Sequence, residues 1–405
     1  GSYGCIFSPA FNCKGKPIQN KQKQYITKVQ KRATTSERET KLGKVIKKIS
    51  DYEDYFAPIL SKCEVSLARM DNDKINRCDF IEEGEKSYET NKIRYVGKNT
   101  LATHILNVVE ATPKRLFDIL LDTHIHLLTG FKKLLSAGIV HLDVKENNVM
   151  IDDNTKTPII IDFGLSSEIN ALNTNKYRDV FFVYGPDYSP WCIDVCMLTY
   201  MANELKTEII PPGMLGFMGF EKNKSENWLD GMVTKEKITK VINDFVSKNH
   251  TMIDLLSESQ RKIYKNTLDE YFGRFIGKSW KDVADELEKN IPSWDCYSVS
   301  VMYLYIIRDL ELNSVDIKIP SWTSYRKTLE NAMLSSPDKR PSSKEMITNI
   351  EKLFMNISNN ENKDIMKVLD NIKVSKEKKR NIRTNMMNTK QKVLQRESKV
   401  YDAIR

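Results

Sequence analysis

The chain has 405 residues, enough for roughly two or three domains, and its composition of 40% hydrophobic and 29% charged residues is typical of a soluble globular protein. No apolar run approaches the roughly 18 residues that a membrane span needs, and the first residues lack the basic start and apolar core of a signal peptide. The net charge of +9 is modest and is concentrated after residue 371, so a nucleic-acid role for the whole protein is not favoured.

The seven cysteines are odd in number and follow no regular spacing. This pattern predicts reduced thiols in a reducing compartment. Cys192 and Cys196 could form half of a metal site, but no second pair of cysteines or histidines stands near them in the sequence. Two core thiols at helical spacing are therefore the favoured interpretation of this pair.

The N-terminal stretch is predicted to hold a glycine-rich turn and a short strand. Gly1 and Gly4 carry no side chain that would keep backbone N–H groups away from a phosphate. Residues 25–29 place β-branched side chains on both sides of Lys28 and predict a strand, with Lys31 as the alternative functional lysine.

Residues 36–49 predict a helix with one apolar face. Glu39 lies on this face, which is formed by Leu42, Ile46 and Ile49. A carboxylate on an inward face needs a partner. Glu37 points away from that face and is the weaker candidate for such a pair.

Two further strands are predicted at 56–65 and 92–96, and the polar, acidic stretch 71–90 between them predicts an exposed insertion. The leucine-rich pattern of 113–137 predicts a long amphipathic helix that ends at Gly138. The early part of the chain is thus expected to be mainly β and the following part mainly helical.

The most specific pattern follows this helix. It reads H-x-D-x-K-x-x-N and comprises His141, Asp143, Lys145 and Asn148; Asp162-Phe163-Gly164 then ends the apolar run 159–161. Phosphoryl transfer from ATP needs a carboxylate to orient the attacking hydroxyl, a cation near the transferred phosphate, and an amide and a second carboxylate to hold magnesium. Asp143, Lys145, Asn148 and Asp162 supply those groups in that order.

With these motifs, the chain from residue 1 to about 357 resembles a divergent eukaryotic-type serine/threonine protein kinase, similar to those of large DNA viruses. The resemblance implies a two-lobed α+β fold. It assigns 1–98 to a small, mainly β N-lobe that lacks its first strand, and 99–357 to a mainly helical C-lobe with a helical insertion at about 192–292. The basic tail 358–405 is either a solvated helical or disordered extension or a weak binder of anionic lipid or nucleic acid.

The resemblance also implies roles for individual residues. Asp143 would accept the proton of the substrate hydroxyl, and Lys145 would neutralise charge on the γ-phosphate. Lys28 would bind the phosphates of ATP, and Glu39 would pair with Lys28. Asn148 and Asp162 would hold Mg²⁺, while His141 and Phe163 would pack behind them. Further contacts with ATP are expected from the glycine-rich turn and from the hinge between the lobes, at Gly1, Gly4, Ile6, Tyr95 and Val96.

Three positions of the C-lobe differ from the usual family pattern or can be matched to it in more than one way. Leu142 stands where many kinases carry an arginine that binds a phosphorylated activation loop, so activity is expected not to require such phosphorylation. Asp187 in Gly185-Pro186-Asp187 is expected to pair with Arg340. The aspartate that anchors the catalytic loop from a C-lobe helix is Asp295 or, alternatively, Asp194, and Asp295 is favoured.

The sequence thus predicts an ATP- and Mg²⁺-dependent serine/threonine protein kinase that acts on protein hydroxyls. It would work in the cytoplasm, or in host cytoplasm or a virion if the protein is viral. A pseudokinase scaffold is the first alternative, against which the intact Asp143, Asn148 and Asp162 argue. A small-molecule phosphotransferase is the second, and such enzymes generally lack both D-F-G and the later Arg340-Pro341-Ser342 segment.

Overall fold

The computed structural model describes residues 4–18, 25–30, 34–66, 78, 88–108, 113–172, 180–181, 183–205, 228–313 and 320–355. Gly1, Lys31 and the basic tail lie outside these residues, as do most of the acidic stretch 71–90 and residues 206–227 of the expected insertion. The predictions made for them stay predictions.

Four strands form one antiparallel sheet in the order β1-β2-β4-β3: β1 (Cys5–Phe7), β2 (Tyr25–Gln30), β3 (Ile59–Val65) and β4 (Tyr88–Arg94). Lys28 of β2 lies opposite Ile6 on one side and Asn91 on the other. The three predicted strands are confirmed, but β4 begins at Tyr88, so the end of the stretch 71–90 belongs to the sheet and not to an exposed insertion.

Two short two-stranded antiparallel sheets carry the loop pattern found in the sequence. Strand β5 (Ile139–Val140) pairs with β8 (Ser167–Glu168), and β6 (Val149–Ile151) pairs with β7 (Pro158–Ile160). The turn between β5 and β6 holds residues 141–148, and Asp162 follows β7 directly. These two strand pairs therefore bring the two predicted catalytic segments together.

Helices make up most of the remaining described chain. They are α1 (Thr34–Ile46), α2 (Leu101–Asn107), α3 (Pro113–Ser136), α4 (Ile169–Leu172), α5 (Ile193–Tyr200), α6 (Lys235–Lys248), α7 (His250–Leu255), α8 (Glu258–Gly273), α9 (Trp280–Lys289), α10 (Ile291–Leu312), α11 (Pro320–Leu334) and α12 (Ser343–Met355). Helices α1 and α3 confirm the two predicted helices, and Gly138 takes the positive φ of 74° that suits a glycine after a helix end. Among the described helices, none is sufficiently long and apolar to cross a membrane.

Helix α10 lies at the centre of the largest apolar core, and most of its side chains are buried. The same core takes in α3, α5 to α9, and the inward faces of α11 and α12. Leu42 and Ile46 of α1 also belong to it, although α1 makes most of its contacts with β3 of the sheet. A helix whose side chains are mostly buried, as those of α10 are, stabilises a fold only when it is surrounded by other elements in this way.

The cysteines divide between the two parts of the molecule. Disulfides join Cys5 to Cys78 and Cys13 to Cys63, whereas the other three cysteines, Cys192, Cys196 and Cys296, are free and buried. The prediction of reduced thiols throughout was therefore wrong for four cysteines, because partners 73 and 50 residues apart are brought together only by the fold. The prediction that Cys192 and Cys196 are core thiols is confirmed.

Candidate active site

The loop 141–148 is anchored from α10. The carboxylate of Asp295 accepts hydrogen bonds from the backbone N–H groups of His141 (2.8 Å) and Leu142 (3.1 Å). Leu142 has a φ of 62°, a conformation that costs energy for a residue with a Cβ. The indole of Trp191 donates to the carbonyl of Leu142 at 2.9 Å, so both backbone groups of the strained residue are held. Asp295, and not Asp194, thus makes the anchoring contact.

Asp194 has a different partner. Its carboxylate, which is fully buried, forms an ion pair with Arg340 and accepts a hydrogen bond from the indole of Trp294 at 3.3 Å. The predicted pair of Asp187 with Arg340 was wrong, because Asp187 is exposed and α5, which carries Asp194, enters the core seven positions later. Burial alone would lower the pKa of Arg340, but Asp194 more than offsets this, and the guanidinium stays charged.

Lys28, Glu39 and Asp162 meet although they come from three separate parts of the chain. The ammonium of Lys28 lies 3.6 Å from Glu39 of α1 and 3.2 Å from Asp162. Glu37, the weaker candidate, is exposed. The contact between Lys28 and Glu39 that the sequence suggested is therefore present.

Burial and the charges of their neighbours together set the pKa values of Lys28, Glu39 and Asp162. Burial raises the pKa of Glu39 well above that of an ordinary glutamate, since the field of Lys28 only partly offsets the loss of water. Burial opposes the charge on Lys28 too, but the two carboxylates outweigh it and raise its pKa. Although burial alone would raise the pKa of Asp162, Lys28 holds it below the usual range. Lys28 and Asp162 are thus both charged at neutral pH.

The carboxylate of Asp143 has three partners. The amide nitrogen of Asn148 donates to its Oδ2 at 2.8 Å and to its backbone carbonyl at 2.9 Å. The ammonium of Lys145 lies 2.9 Å from its Oδ1. The phenol of Tyr188 donates to the same Oδ1 and accepts a hydrogen bond of 2.9 Å from Lys145. Sequence reasoning missed Tyr188, because nothing in its surroundings sets it apart from other tyrosines.

Asn148 and Asp162 lie at the same end of the β6–β7 hairpin, where the N–H of Ile161 donates to the carbonyl of Asn148 at 2.9 Å. Because the amide nitrogen of Asn148 faces Asp143, its amide oxygen points away from that carboxylate. An amide oxygen and a carboxylate are ligands that Mg²⁺ prefers, and magnesium sites on nucleotides usually take one or two protein ligands with phosphates and waters. The residues present therefore fit such an ion.

Aromatic side chains pack behind the site. The rings of Phe56 and Phe163 lie edge to face with centroids 6.2 Å apart, and Phe163 contacts His141 at 5.1 Å. The imidazole of His141 bonds to the carbonyl of Ile161 at 3.2 Å. His141 and Phe163 are both buried, so the predicted packing roles are confirmed.

Helix α1 also contacts the segment that follows Asp162. The guanidinium of Arg38 donates to the carbonyl of Gly164 at 3.0 Å, and Lys41 pairs with Glu168 at 3.1 Å. These contacts hold α1 against the segment that follows Asp162.

The other residues predicted to contact ATP lie at β1 and just after the end of β4. Gly4 is so close to β2 that a Cβ there would stand 2.2 Å from the carbonyl of Val29. Ile6 is 56% exposed and lies opposite Lys28, where it could cover a ligand. Tyr95 and Val96 follow β4, and the carbonyl of Val96 accepts a hydrogen bond of 3.2 Å from the N–H of Asp153. Gly1 is outside the described residues.

The sequence of this chain is similar to sequences of known protein kinases. Residues 78–205 match the family model described as "Protein kinase domain". A "Membrane-associated tyrosine- and threonine-specific cdc2-inhibitory kinase" of Drosophila melanogaster is 32% identical over 78 residues, which are 19% of this chain and 14% of that protein. A "Stress-activated protein kinase JNK" of Suberites domuncula is 27% identical over 172 residues, 39% of each chain.

A "Serine/threonine-protein kinase CST20" of Candida albicans is 29% identical over 91 residues, 19% of this chain and 7% of that protein. The chain thus spans well under half of the length of the curated relatives that it matches. The matched region holds the loop 141–148 and Asp162, while Lys28 and Glu39 lie before it. The family match and the relatives, taken with the site, support a protein kinase domain in this chain.

Proposed function

We propose that this chain is an ATP- and Mg²⁺-dependent protein kinase that phosphorylates serine or threonine hydroxyls of protein substrates. The reaction would take place in a cleft between a small, mainly β lobe (1–98) and a larger, mainly helical lobe (99–357). The observation that carries the proposal is the meeting of Lys28, Glu39 and Asp162, which come from parts of the chain up to 134 residues apart. A kinase needs both the lysine–glutamate pair and the metal-binding aspartate in place.

Each group has a task that its position allows. Lys28 binds the phosphates of ATP, and Glu39 with Asp162 holds its ammonium group in place. Asn148 and Asp162 hold Mg²⁺, which neutralises charge on the phosphates when bound. Asp143 orients the acceptor hydroxyl and takes its proton, while Lys145 stabilises charge that develops on the transferred group. Ile6 lies where it could cover the nucleotide.

The choice of serine and threonine acceptors rests on Lys145, which stands two residues after Asp143 as in serine/threonine kinases. Since one relative's name includes tyrosine specificity, the assay needs tyrosine acceptors as well. Position 142 is a buried leucine and not an arginine. The loop therefore has no guanidinium at that position to bind a phosphorylated activation segment. Activity without such phosphorylation is part of the proposal. The likeness to kinases of large DNA viruses and the cytoplasmic location stay predictions.

The test is transfer of radiolabelled phosphate from Mg·ATP to generic serine/threonine and tyrosine substrate proteins. Asp143→Asn should lower the rate by at least about a hundredfold, since it removes the proton acceptor. Asp285→Asn, at an exposed carboxylate on α9, is the matched control and should keep the wild-type rate. Nucleotide binding without any transfer would contradict the proposal and favour a pseudokinase scaffold, and transfer only to small molecules would favour the second alternative.

A further inference from the structure

The two disulfides lie on the face of the sheet opposite the side chain of Lys28. Cross-strand pairing puts Cys5, Val29, Thr90 and Cys63 in one row across the four strands. Lys28 belongs to the neighbouring row, and successive side chains of a strand point to opposite faces of a sheet. The disulfides therefore act on the nucleotide side of the sheet through the positions of the strands and not by direct contact.

The two disulfides differ in how easily a reductant reaches them. Cys13 is exposed in the loop after β1, and its partner Cys63 is half-buried. Cys78, by contrast, is only 5% exposed, and its partner Cys5 is half-buried. Thiol–disulfide exchange needs a thiolate to reach one of the two sulfurs, so exposed disulfides are the more easily reduced. The Cys13–Cys63 bond is therefore the one that a mild reductant opens first.

The Cys13–Cys63 bond holds the loop that follows β1. Cys63 belongs to β3, at the opposite end of the sheet order from β1, so the bond spans the sheet. In the same loop, the N–H of Phe11 donates to the hydroxyl of Thr27 at 3.1 Å, and that hydroxyl donates to the carbonyl of Phe11 at 3.3 Å. The ring of Phe11 packs edge to face on Phe7 of β1, with centroids 5.4 Å apart. The loop thus supplies part of the small core that supports β1.

Strand β1 is short and carries a residue that the proposed function assigns to ATP. Its pairing with β2 comprises three residue pairs. Ile6 is the neighbour of Phe7, lies opposite Lys28 and is 56% exposed, where it could cover the nucleotide. Because so short a strand has little pairing of its own, the position of Ile6 depends on the packing of Phe7 against Phe11.

We propose that the Cys13–Cys63 disulfide is a redox switch on nucleotide binding, which is tight in the oxidised protein and weak in the reduced protein. The inference rests on the proposed function, because it concerns the ATP site of that same reaction. Reduction releases the loop from β3 and loosens the packing of Phe11 on Phe7. Ile6 then leaves its position beside the nucleotide.

The switch is an exchange with a dithiol reductant. One thiolate of the reductant attacks the sulfur of the exposed Cys13, and the thiolate of Cys63 leaves and takes up a proton. The second thiolate of the reductant then displaces Cys13 from the mixed disulfide, and Cys13 takes up a proton as well. The protein gains two electrons and two protons, and the reductant loses them as it closes to its own disulfide.

The test measures KM for ATP and kcat in phosphate transfer to a generic serine/threonine substrate protein, before and after mild treatment with dithiothreitol. Reduction should raise KM for ATP roughly tenfold, the scale of losing the burial of about one isoleucine side chain. The kcat at saturating ATP should change by less than about twofold, because the loop 141–148 is anchored by Asp295 of the helical region. Reoxidation after removal of dithiothreitol should restore KM.

Cysteine variants assign the effect to one disulfide. Cys13→Ala combined with Cys63→Ala should show the raised KM without reductant and no further rise with it. Cys5→Ala combined with Cys78→Ala is the matched control, because it removes the other disulfide and should keep the response to dithiothreitol. Alkylation followed by mass spectrometry identifies the reduced cysteines in each sample, so the wild-type result decides even if a variant does not fold.

The other outcomes also decide. An unchanged KM in wild-type protein whose Cys13 and Cys63 are reduced would overturn the proposal, and so would a fall in kcat at constant KM. If the folded wild type transfers no phosphate in either redox state, the proposed kinase function fails. The dissociation constant for ATP, measured by isothermal titration calorimetry in both states, then decides the switch alone: a roughly tenfold difference supports it, and equal values or no binding overturn it.

Discussion

The core that lies wholly within the sheet region, Cys5 to Arg94, is small and consists of Phe7, Phe11, Val29, Val65, Cys78 and Tyr88. Two disulfides cross-link this region. From Leu101 to Met355, by contrast, one continuous apolar core surrounds α10, and three buried cysteines stay free. Strands as short as β1 bury little surface, and covalent links are a common supplement where apolar burial is small.

Helix α1 connects the two regions. Its Leu42 and Ile46 pack in the large helical core, while Glu39 on the same helix contacts Lys28 of the sheet. Glu39 therefore lies on a helix that contacts both regions, whereas Lys28 belongs to the sheet. The contact between Glu39 and Lys28 therefore links the sheet to a helix that also packs in the large core.

The largest effect on stability is expected from the buried ion pair of the helical region, between Arg340 and Asp194. We expect Arg340→Met to lower the free energy of unfolding by about 3–5 kcal/mol, because Asp194 would stay buried without its cationic partner. Urea unfolding followed by circular dichroism measures the loss.

Arg326→Met is the matched control. The guanidinium of Arg326 pairs with Glu311 and Glu330 at the surface, where its side chain is 39% exposed, so the loss should be about 1 kcal/mol or less. Equal losses in the two variants would show that the pair of Arg340 and Asp194 is not the special contact that its burial suggests.

The next test concerns the sheet region. Replacing both Cys13 and Cys63 by alanine should lower the free energy of unfolding by about 2–4 kcal/mol, since the disulfide closes a loop of 50 residues in the unfolded chain. Thermal unfolding with and without a reductant measures it, and the reductant should affect the variant less than the wild type. Rapid alkylation of more than three cysteines in the native, unreduced protein would contradict the disulfides.

How much of this could be predicted depends on how local each feature is. The loop 141–148 and Asp162 were found because their chemistry is written in nearly contiguous residues. Lys28 and Glu39 could be found because a strand and a helix face each impose a period on the sequence. Asp187 was predicted as the partner of Arg340, and the sequence does not show that Asp194 is the carboxylate that enters the core.

The features that were missed depend on tertiary contacts. The disulfide partners are 73 and 50 residues apart, and only the folded chain brings them together. Tyr188 reaches Asp143 only because Trp191 and the α6–α7 junction direct its loop. No short-range pattern contains that information.

The smallest expected effect is the loss of unfolding free energy as the pH is lowered. All five histidines of the chain lie at or after His104, in the helical region. His124 of α3 is fully buried beside Tyr303, and its Nδ1 lies 2.8 Å from the phenol of Tyr325. Burial lowers its pKa to about 3.

The pKa of His124 is lower in the folded state than in the unfolded state. As the pH falls, the unfolded chain therefore binds a proton at His124 before the native state does. The contribution of His124 to stability is complete above about pH 6.5 and is lost as the pH falls from there toward 3, by about 1.4 kcal/mol at pH 5.5. His124→Phe should therefore flatten the fall in unfolding free energy between pH 8 and 5.5, measured by urea unfolding at each pH. His250→Phe, at an exposed position, is the control substitution. If His124→Phe kept the wild-type slope, the acid sensitivity would have to be assigned to groups outside the core around α10.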